Sequence, residues 1–560
     1  MTKPLHSLFM ALCLITGLIA GCHADENDAA GLAGELSDPI RRQHAISNIQ
    51  RIYASTLSAA DGDRQAPAVV AVADAVVGPL RDCFLENRMD VPNGKEIMRT
   101  FAEMRDPRSL PALIEGLDWN LEVSEEIAVT AANTIRYTEI PDDKKGDVIT
   151  ALAESYGEIS SARPIDNNMR QSFIRALGSL QDERATSALV EIVTNVSADQ
   201  NFLYNIYAGH QLAELKNPDA IPAFIKSLFL FAPNNPFMRM NDVGQHGLVR
   251  IGAASIPALM RLLNGEDQEA IALVRAFKEA LPEAQRGMVR VADEISKEAA
   301  TVLGSLGLSE SFDVLMRETE QESPFRRTNA AISLVRLNPE GAQLTQVRDA
   351  IIRVYGATPS DLPLMQRAGM KMQLLAGMRQ LYDPSIFEFL RTVVKEPGIP
   401  DLKITAVNSI AMLANAAEAA ALRTFVQEEA SGAATTQAIT ANEPVLAAAT
   451  ECDENVSCWA GKLTDSDENV ARKATFMLGR LGRGNEAALT ALIEGIASSR
   501  IAVRMDALSA LDWTATSGSE AAVTQLNQLR DTEQGRRIWN EFRPVAMVTL
   551  GRLEARASGQ

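Results

Sequence analysis

The sequence predicts an all-α fold, an α-solenoid of stacked helix-turn-helix repeats, and three observations predict it. One helical pattern returns along the chain: an apolar residue, a small or apolar one at +4, Leu or Met at +8 and an aliphatic at +11, often with Gly at +9. The breaks between apolar helices repeat as well, as Asp106-Pro107, Asn217-Pro218, Asn338-Pro339 and Asp383-Pro384. Aromatic residues make up only 5% of the chain while Ala, Leu and Met are plentiful, which suits helix packed on helix and gives little support to sheets. A repeated helical unit cannot bury its apolar stripe alone, so it must stack on its neighbours.

The N-terminal segment stands apart from the repeats. Lys3 precedes an apolar run from Leu8 to Ala20 that is broken only by Thr16 and Gly17, so residues 1–21 read as an export signal. No apolar run in the chain reaches the ~18–20 residues that a spanning helix needs. The run ends in Leu18-Ile19-Ala20-Gly21-Cys22, which resembles the lipobox of bacterial lipoproteins. That resemblance implies that Cys22 is acylated and begins the mature chain, anchored to a membrane through its lipid. By analogy with proteobacterial sorting, an Asp after the lipidated Cys favours the inner membrane. His23 stands there, so an outer-membrane anchor is favoured, with the protein facing the periplasm or the cell exterior. Residues 22–37 are polar or small and are expected to form a flexible tether.

Repeats are expected over 38–430 and 445–560. The clean copies start at Met169 (Phe173, Ala176, Leu177, Gly178, Leu180), Ile295 (Ala299, Val302, Leu303, Gly304, Leu306), Val470 (Ala474, Met477, Leu478, Gly479, Leu481), Val503 (Ala507, Ala510, Leu511) and Phe542 (Ala546, Thr549, Leu550, Gly551, Leu553). Looser copies start at Tyr204, Met240 and Met370. In the breaks, Asp or Asn can cap a helix and Pro is tolerated in a first turn but not mid-helix. Leu110-Pro111-Ala112-Leu113, Ile221-Pro222-Ala223-Phe224 and Ile256-Pro257-Ala258-Leu259 mark second helices. Starts at 169, 204 and 240 lie 35 and 36 residues apart, and the wider gap to 295 places a longer helix or an insertion at Glu266 to Glu294. Residues 431–444, weak in pattern, are expected to be a surface loop or a joint between two solenoid segments. The copies at Ile295 and Val503 resemble the second helix of the HEAT repeat in its short bacterial form. The resemblance covers the chain from about Asp38 onward, although its spacing is shorter than the ~40 residues usual for such units.

The candidate site residues follow from the helical wheel. The +4, +7, +8 and +11 positions share the face of the starting residue, so +6 should be exposed. In three consecutive units +6 holds Arg175, His210 and His246, and +10 on the flank holds Ser179, Glu214 and Arg250. Stacking would align these six into a polar ladder. The resemblance to HEAT solenoids, whose second helices line the concave face, implies that the ladder lies on a binding surface. Two histidines without a third ligand do not define a metal shell, so no metal is expected there. Cys452 and Cys458 can form a disulfide in an exported chain if the helix breaks at Asp453 to Asn455. The C-x-x-C spacing of redox pairs is absent, so a structural bridge is expected. Cys83 is then left as a buried small hydrophobe. Asp465-Ser466-Asp467-Glu468-Asn469 lacks the Gly and the distant Glu of a calcium loop and reads as an acidic helix start.

With 72 acidic against 54 basic residues and a net charge of −18, the chain lacks the basic footprint that a nucleic-acid partner requires. It contains no G-x-S-x-G, H-E-x-x-H, P-loop or G-x-G-x-x-G motif. The expectation is therefore a monomeric, membrane-anchored protein-interaction scaffold of the cell envelope, not an enzyme and without a cofactor. The alternatives are an envelope assembly factor or an accessory subunit of an enzyme, since some bacterial HEAT-like proteins resemble bilin lyases.

Overall fold

The structure, a computed structural model, describes residues 25–118, 121–159, 164–196, 201–515, 519–533 and 535–557. The helices of the first part are α1 (Ala29–Glu35), α2 (Arg42–Ala59), α3 (Pro67–Glu86), α4 (Val91–Met104), α5 (Leu110–Leu117), α6 (Leu121–Tyr137), α7 (Asp142–Gly157), α8 (Pro164–Ser179), α9 (Thr186–Thr194) and α10 (Leu203–Leu215). Then follow α11 (Ile221–Ser227), a hairpin of β1 (Phe231–Ala232) and β2 (Asn235–Arg239), α12 (Asn241–Ile251), α13 (Ile256–Leu263), α14 (Gln268–Ala280) and α15 (Glu283–Arg286). The regular alternation resumes with α16 (Val291–Leu306), α17 (Glu310–Glu318), α18 (Pro324–Val335), α19 (Gly341–Gly356), α20 (Leu364–Arg379), α21 (Phe387–Lys395), α22 (Pro400–Leu413) and α23 (Ala416–Glu428). The chain ends in α24 (Ala433–Ala441), α25 (Glu443–Cys452), α26 (Val456–Lys462), α27 (Glu468–Gly482), α28 (Glu486–Gly495), α29 (Ile501–Thr514), α30 (Glu520–Glu533) and α31 (Arg537–Ala557). The all-α solenoid class expected from the sequence is what the chain adopts. It divides into two compact units, Met1–Gln211 and Leu212–Gln560.

The repeated break has one local geometry. Asp106, Asn217 and Asp383 each accept the backbone N–H two residues on, from Arg108, Asp219 and Ser385, and so start a short 3-10 turn into the next helix. The residue before each takes left-handed backbone: Arg105, Lys216 and Tyr382 have φ of 53°, 53° and 51°. That conformation ends the preceding helix. Asp182 works the same way without a proline, after Gln181 at φ 47°. Asn338 does not cap, contrary to the expectation. It is itself the left-handed residue, at φ 52°, and its side chain is used elsewhere.

In the first unit α2, α4, α6 and α8 stack side by side as one row, and α3, α5 and α7 form a second row behind them. The tether expected over 22–37 is interrupted. Residues 29–35 fold as α1, which packs on α2 and α3 and, with the next residue, buries Leu32 and Leu36 there. Two well-placed leucines suffice to dock a short helix whose average composition is that of a linker. Cys83 is buried, as expected, and its thiol donates to the Leu36 carbonyl at 3.6 Å.

The second unit closes on itself. Among the described residues, α12, α16, α18, α20, α22, α27, α29 and α31 each pack on the next, and α31 packs back on α12. Every copy of the sequence pattern in this unit falls on one of these inner helices. The +9 glycines explain the close approach. A Cβ at Gly304 would come within 2.5 Å of the Ser333 carbonyl oxygen on α18, which only a residue without a side chain avoids. The insertion expected at Glu266 to Glu294 is α14 and α15. The loop or joint expected over 431–444 is instead helical. α24 packs on α22, Thr435 donates to the Ala430 carbonyl at 2.7 Å, and α25 begins at Glu443. Alanine and threonine pack closely without an aliphatic stripe, which is why the pattern is faint there.

Lys473 on α27 is fully buried and ties that helix to α22. Its Nζ donates to the carbonyls of Ala411 and Ala414, at 2.6 and 2.7 Å, at the end of that helix. Burial pushes its pKa down to about 7 from an ordinary 10.5, with nearby Arg480 adding to the effect. The unfolded chain holds this proton up to about pH 10.5 while the folded chain releases it above about 7, so the site's contribution to stability increases across that window. Urea unfolding as a function of pH should show this rise, at most ~1.4 kcal/mol per pH unit, and Lys473→Met should flatten it. A slope unchanged by the substitution would contradict this reading.

Candidate functional site

The C-terminal ends of α16, α18, α20, α27 and α29 and the last turns of α31 meet at the centre of the ring. Tyr382, just past α20, is the hub of an aromatic cluster, with ring centroids 5.8 Å from Phe476 and 5.4 Å from Trp513. Gly479 makes room for it, since a Cβ there would lie 2.6 Å from the tyrosine ring. Arg379 lies over Phe476 and Arg483 over Trp513, 4.6 and 3.9 Å from the ring centroids. Tyr382 is 4% exposed and its hydroxyl has no hydrogen-bond partner. Burial pushes its pKa well above the ordinary tyrosine value.

Asp512 at the end of α29 is the anionic node. It pairs with Arg552 Nη1 at 2.6 Å and Arg556 Nη2 at 2.8 Å, both from α31. The same arginines satisfy backbone carbonyls: Arg556 Nη1 donates to those of Asp512 and Ala515, and Arg552 Nη2 to that of Arg336 at the end of α18. Asn338 Nδ2 donates across the ring to the Asp512 carbonyl at 2.7 Å, and Arg483 Nη2 to the Asn338 carbonyl at 3.1 Å. Unpaired carbonyls at helix C-termini make this end electronegative, and guanidinium groups are the matching donors. Burial pushes Arg552 down to about 10 while Asp512 opposes the fall, so Arg552 stays charged at neutral pH.

Beside this network lies a cavity of about 340 Å³, lined by Arg336, Tyr382, Trp513, Val545, Val548 and Arg552 among others. Arg336 is open to solvent within it. No ion pair or hydrogen bond to its guanidinium exists among the described residues. Glu298, whose negative charge acts on it, is 1% exposed and already accepts from Gln245 at 3.1 Å and Lys297 at 3.4 Å. At the opposite, N-terminal ends of the inner helices, apolar side chains stand in solvent. Phe237 and Met238 before α12 are 64% and 36% exposed, Met288 before α16 is 69%, and Leu364 and Met365 opening α20 are 56% and 81%.

The polar ladder does not form a solvated stripe. Arg175 is exposed on α8, Ser179 is half-buried and donates to the Ala176 carbonyl at 2.8 Å, and His210 is half-buried on α10, all in the first unit. In the second unit His246 is 1% exposed and Arg250 is buried, paired with Glu214 at 2.8 Å and with Glu554 of α31. The helical wheel assumed an open row. Closure lays α31 on α12, and the Gly551 face meets Arg250 and Val249 where solvent was expected. Cys452 and Cys458 form a disulfide with Cα atoms 5.3 Å apart, and the helix breaks between them at Asp453, φ 46°. Trp459 Nε1 donates to the Asp453 carbonyl at 2.7 Å and fixes that break. Glu451 lies beside the bridge, but with both sulfurs bonded to each other no thiolate is left to hold a metal. Asp467 caps α27 by accepting from the Asn469 N–H, as an acidic helix start should. Cys22 and its signal lie outside the described residues.

The sequence reading missed Arg336, Tyr382, Asp512, Trp513 and Arg552. Two signals were available: an aromatic in the left-handed position before Asp383-Pro384, and single charges at the ends of otherwise apolar stripes, as in Leu511-Asp512-Trp513.

No protein-family model matches the chain, and no curated protein matches it. Among solved structures, Kap121p bound to Pho4p is similar with a TM-score of 0.39 and 12% identity, over 95% of this chain and 73% of that one. Importin beta gives 0.33 and 10%, over 100% and 87%. An engineered protein gives 0.27 and 15%, over 88% and 99%.

Asp512→Asn leaves two enclosed arginines without their counter-ion. It should lower stability by about 3–5 kcal/mol in chemical unfolding, whereas Arg175→Ala, on an exposed position, should leave it within about 0.5 kcal/mol. Equal effects would remove Asp512 from its central place.

Proposed function

We propose that the chain is a lipid-anchored scaffold of the cell envelope that holds a partner protein on its repeat surface. Cys22 would be the acylated residue, with the outer membrane as the favoured site. The observation that carries the binding reading is the set of exposed apolar side chains at the N-terminal ends of three inner helices, α12, α16 and α20: Phe237, Met238, Met288, Leu364 and Met365. Exposing large Met, Leu and Phe side chains in water is unfavourable, and such residues are enriched where proteins meet. Methionine adapts to irregular partner surfaces. The Cys452–Cys458 disulfide fits an oxidising compartment outside the cytosol. Among the described residues no helix is long and apolar enough to cross a membrane, which fits attachment by lipid. The net charge of −18 would keep the protein from adhering to anionic lipid by itself.

Two measurements test the two halves. An alkyne fatty acid fed to cells should label the full chain and not Cys22→Ala; equal labelling of both would remove the anchor. Phe237→Ser combined with Met365→Ser should leave the melting temperature within about 3 °C, since both are surface changes, and should abolish cross-links between the rim and a co-purifying protein. Cross-links that survive unchanged would move the partner to another face.

A further inference from the structure

We infer that the cavity at the centre of the helical ring is a binding site for a small organic monoanion, a carboxylate carried on an apolar body, which Arg336 and Tyr382 would hold. This goes beyond the scaffold reading, because the cavity lies at the end of the ring opposite the exposed apolar rim.

Three observations converge. Arg336 places a guanidinium in the cavity, open to solvent there, with no ion pair or hydrogen bond to it among the described residues, and the surrounding protein pushes its pKa below the ordinary arginine value. Of the neighbouring arginines, Arg552 and Arg556 are engaged by Asp512, and Arg483 by Glu340 and two backbone carbonyls. Tyr382 lines the same cavity with a buried hydroxyl that has no partner, and an unmet donor at a 4% exposed residue is costly unless something accepts from it. Tyr382 is also held in left-handed backbone at φ 51°, a strained conformation for an aromatic residue that fixes where its ring and hydroxyl lie.

The chemistry of the walls selects the ligand. A planar guanidinium matches a carboxylate through two parallel N–H···O bonds, and the tyrosine hydroxyl supplies a third donor. Asp512 stands at the cavity wall and would repel a second negative charge, so a monoanion fits better than phosphate. Trp513, Val545 and Val548 offer an apolar surface for the rest of the molecule, and Val545 is left 37% exposed there. About 340 Å³ is at the small end of ligand sites, enough for a compact organic acid.

The test is titration calorimetry on the full chain with three probes: benzoate, its neutral amide benzamide, and inorganic phosphate. Benzoate should bind saturably, with benzamide and phosphate at least tenfold weaker, and Arg336→Gln should weaken benzoate at least tenfold. Because Arg336 holds no partner, Arg336→Gln should melt no lower than the unaltered chain, so its loss of binding is not a loss of fold. Arg336→Lys keeps the charge without the fork and should bind benzoate several-fold more weakly than arginine. No saturable benzoate binding, equal binding of benzamide or phosphate, or benzoate binding indifferent to Arg336→Gln would each overturn the proposal.

Discussion

The second unit depends on how one buried carboxylate is shared. Inner helices that end together aim their unpaired carbonyls, and the negative ends of their dipoles, at one point. Such a centre cannot close unless cations enter it, and cations cannot enter without an anion to keep them from mutual repulsion. Asp512 supplies that anion for Arg552 and Arg556, and these reach the carbonyls of α18 and α29. Lys473 and Arg480 do the same for the end of α22. Taking these charges out of water is costly, and the ion pairs to Asp512 and the hydrogen bonds to the helix-end carbonyls offset that cost. The arrangement also links the inner helices, since Arg552 joins the carbonyl at the end of α18 to Asp512 of α29, and Arg556 holds two carbonyls at the end of α29.

Much of this architecture was legible from the chain. The +4, +8, +11 pattern marks the helices that line the ring, and its glycines mark where the next helix comes closest. Asp106, Asn217 and Asp383 mark the turns. What failed, failed for a common reason: periodicity reports which face of a helix is apolar, not what covers the other face. His246 read as solvent-facing and Arg250 as a flank residue, and nothing local announces that α31, some 300 residues later, packs on α12 and pairs its Glu554 with Arg250. Leu32 and Leu36 anchor α1 from within a stretch whose composition is that of a linker. Residues 431–444 hide a helix because alanine and threonine pack without a strong hydrophobic signal.

The polar groups at the ring centre were legible only as exceptions. A charge at the end of an apolar stripe is usually a capping residue, and Arg552 and Arg556 are that. Arg336 is the exception among them, a cation that satisfies nothing. The apolar rim is the mirror case, with side chains suited to a core left in water. Each is a local departure from what folding alone would select, and each points to something the chain meets. Together they give the second unit two surfaces of unlike chemistry at opposite ends of one ring.

The central claim is that the second unit is closed, with its last helix seated on α12. Disulfide trapping tests it directly. A Cβ at Gly551 would lie 3.4 Å from the Val249 side chain, so a chain carrying Val249→Cys and Gly551→Cys should form that cross-link under the mild oxidation that preserves Cys452–Cys458, and peptide mapping should find it in nearly every molecule. A chain that keeps both new thiols free under those conditions would show an open row of repeats and contradict the closed ring.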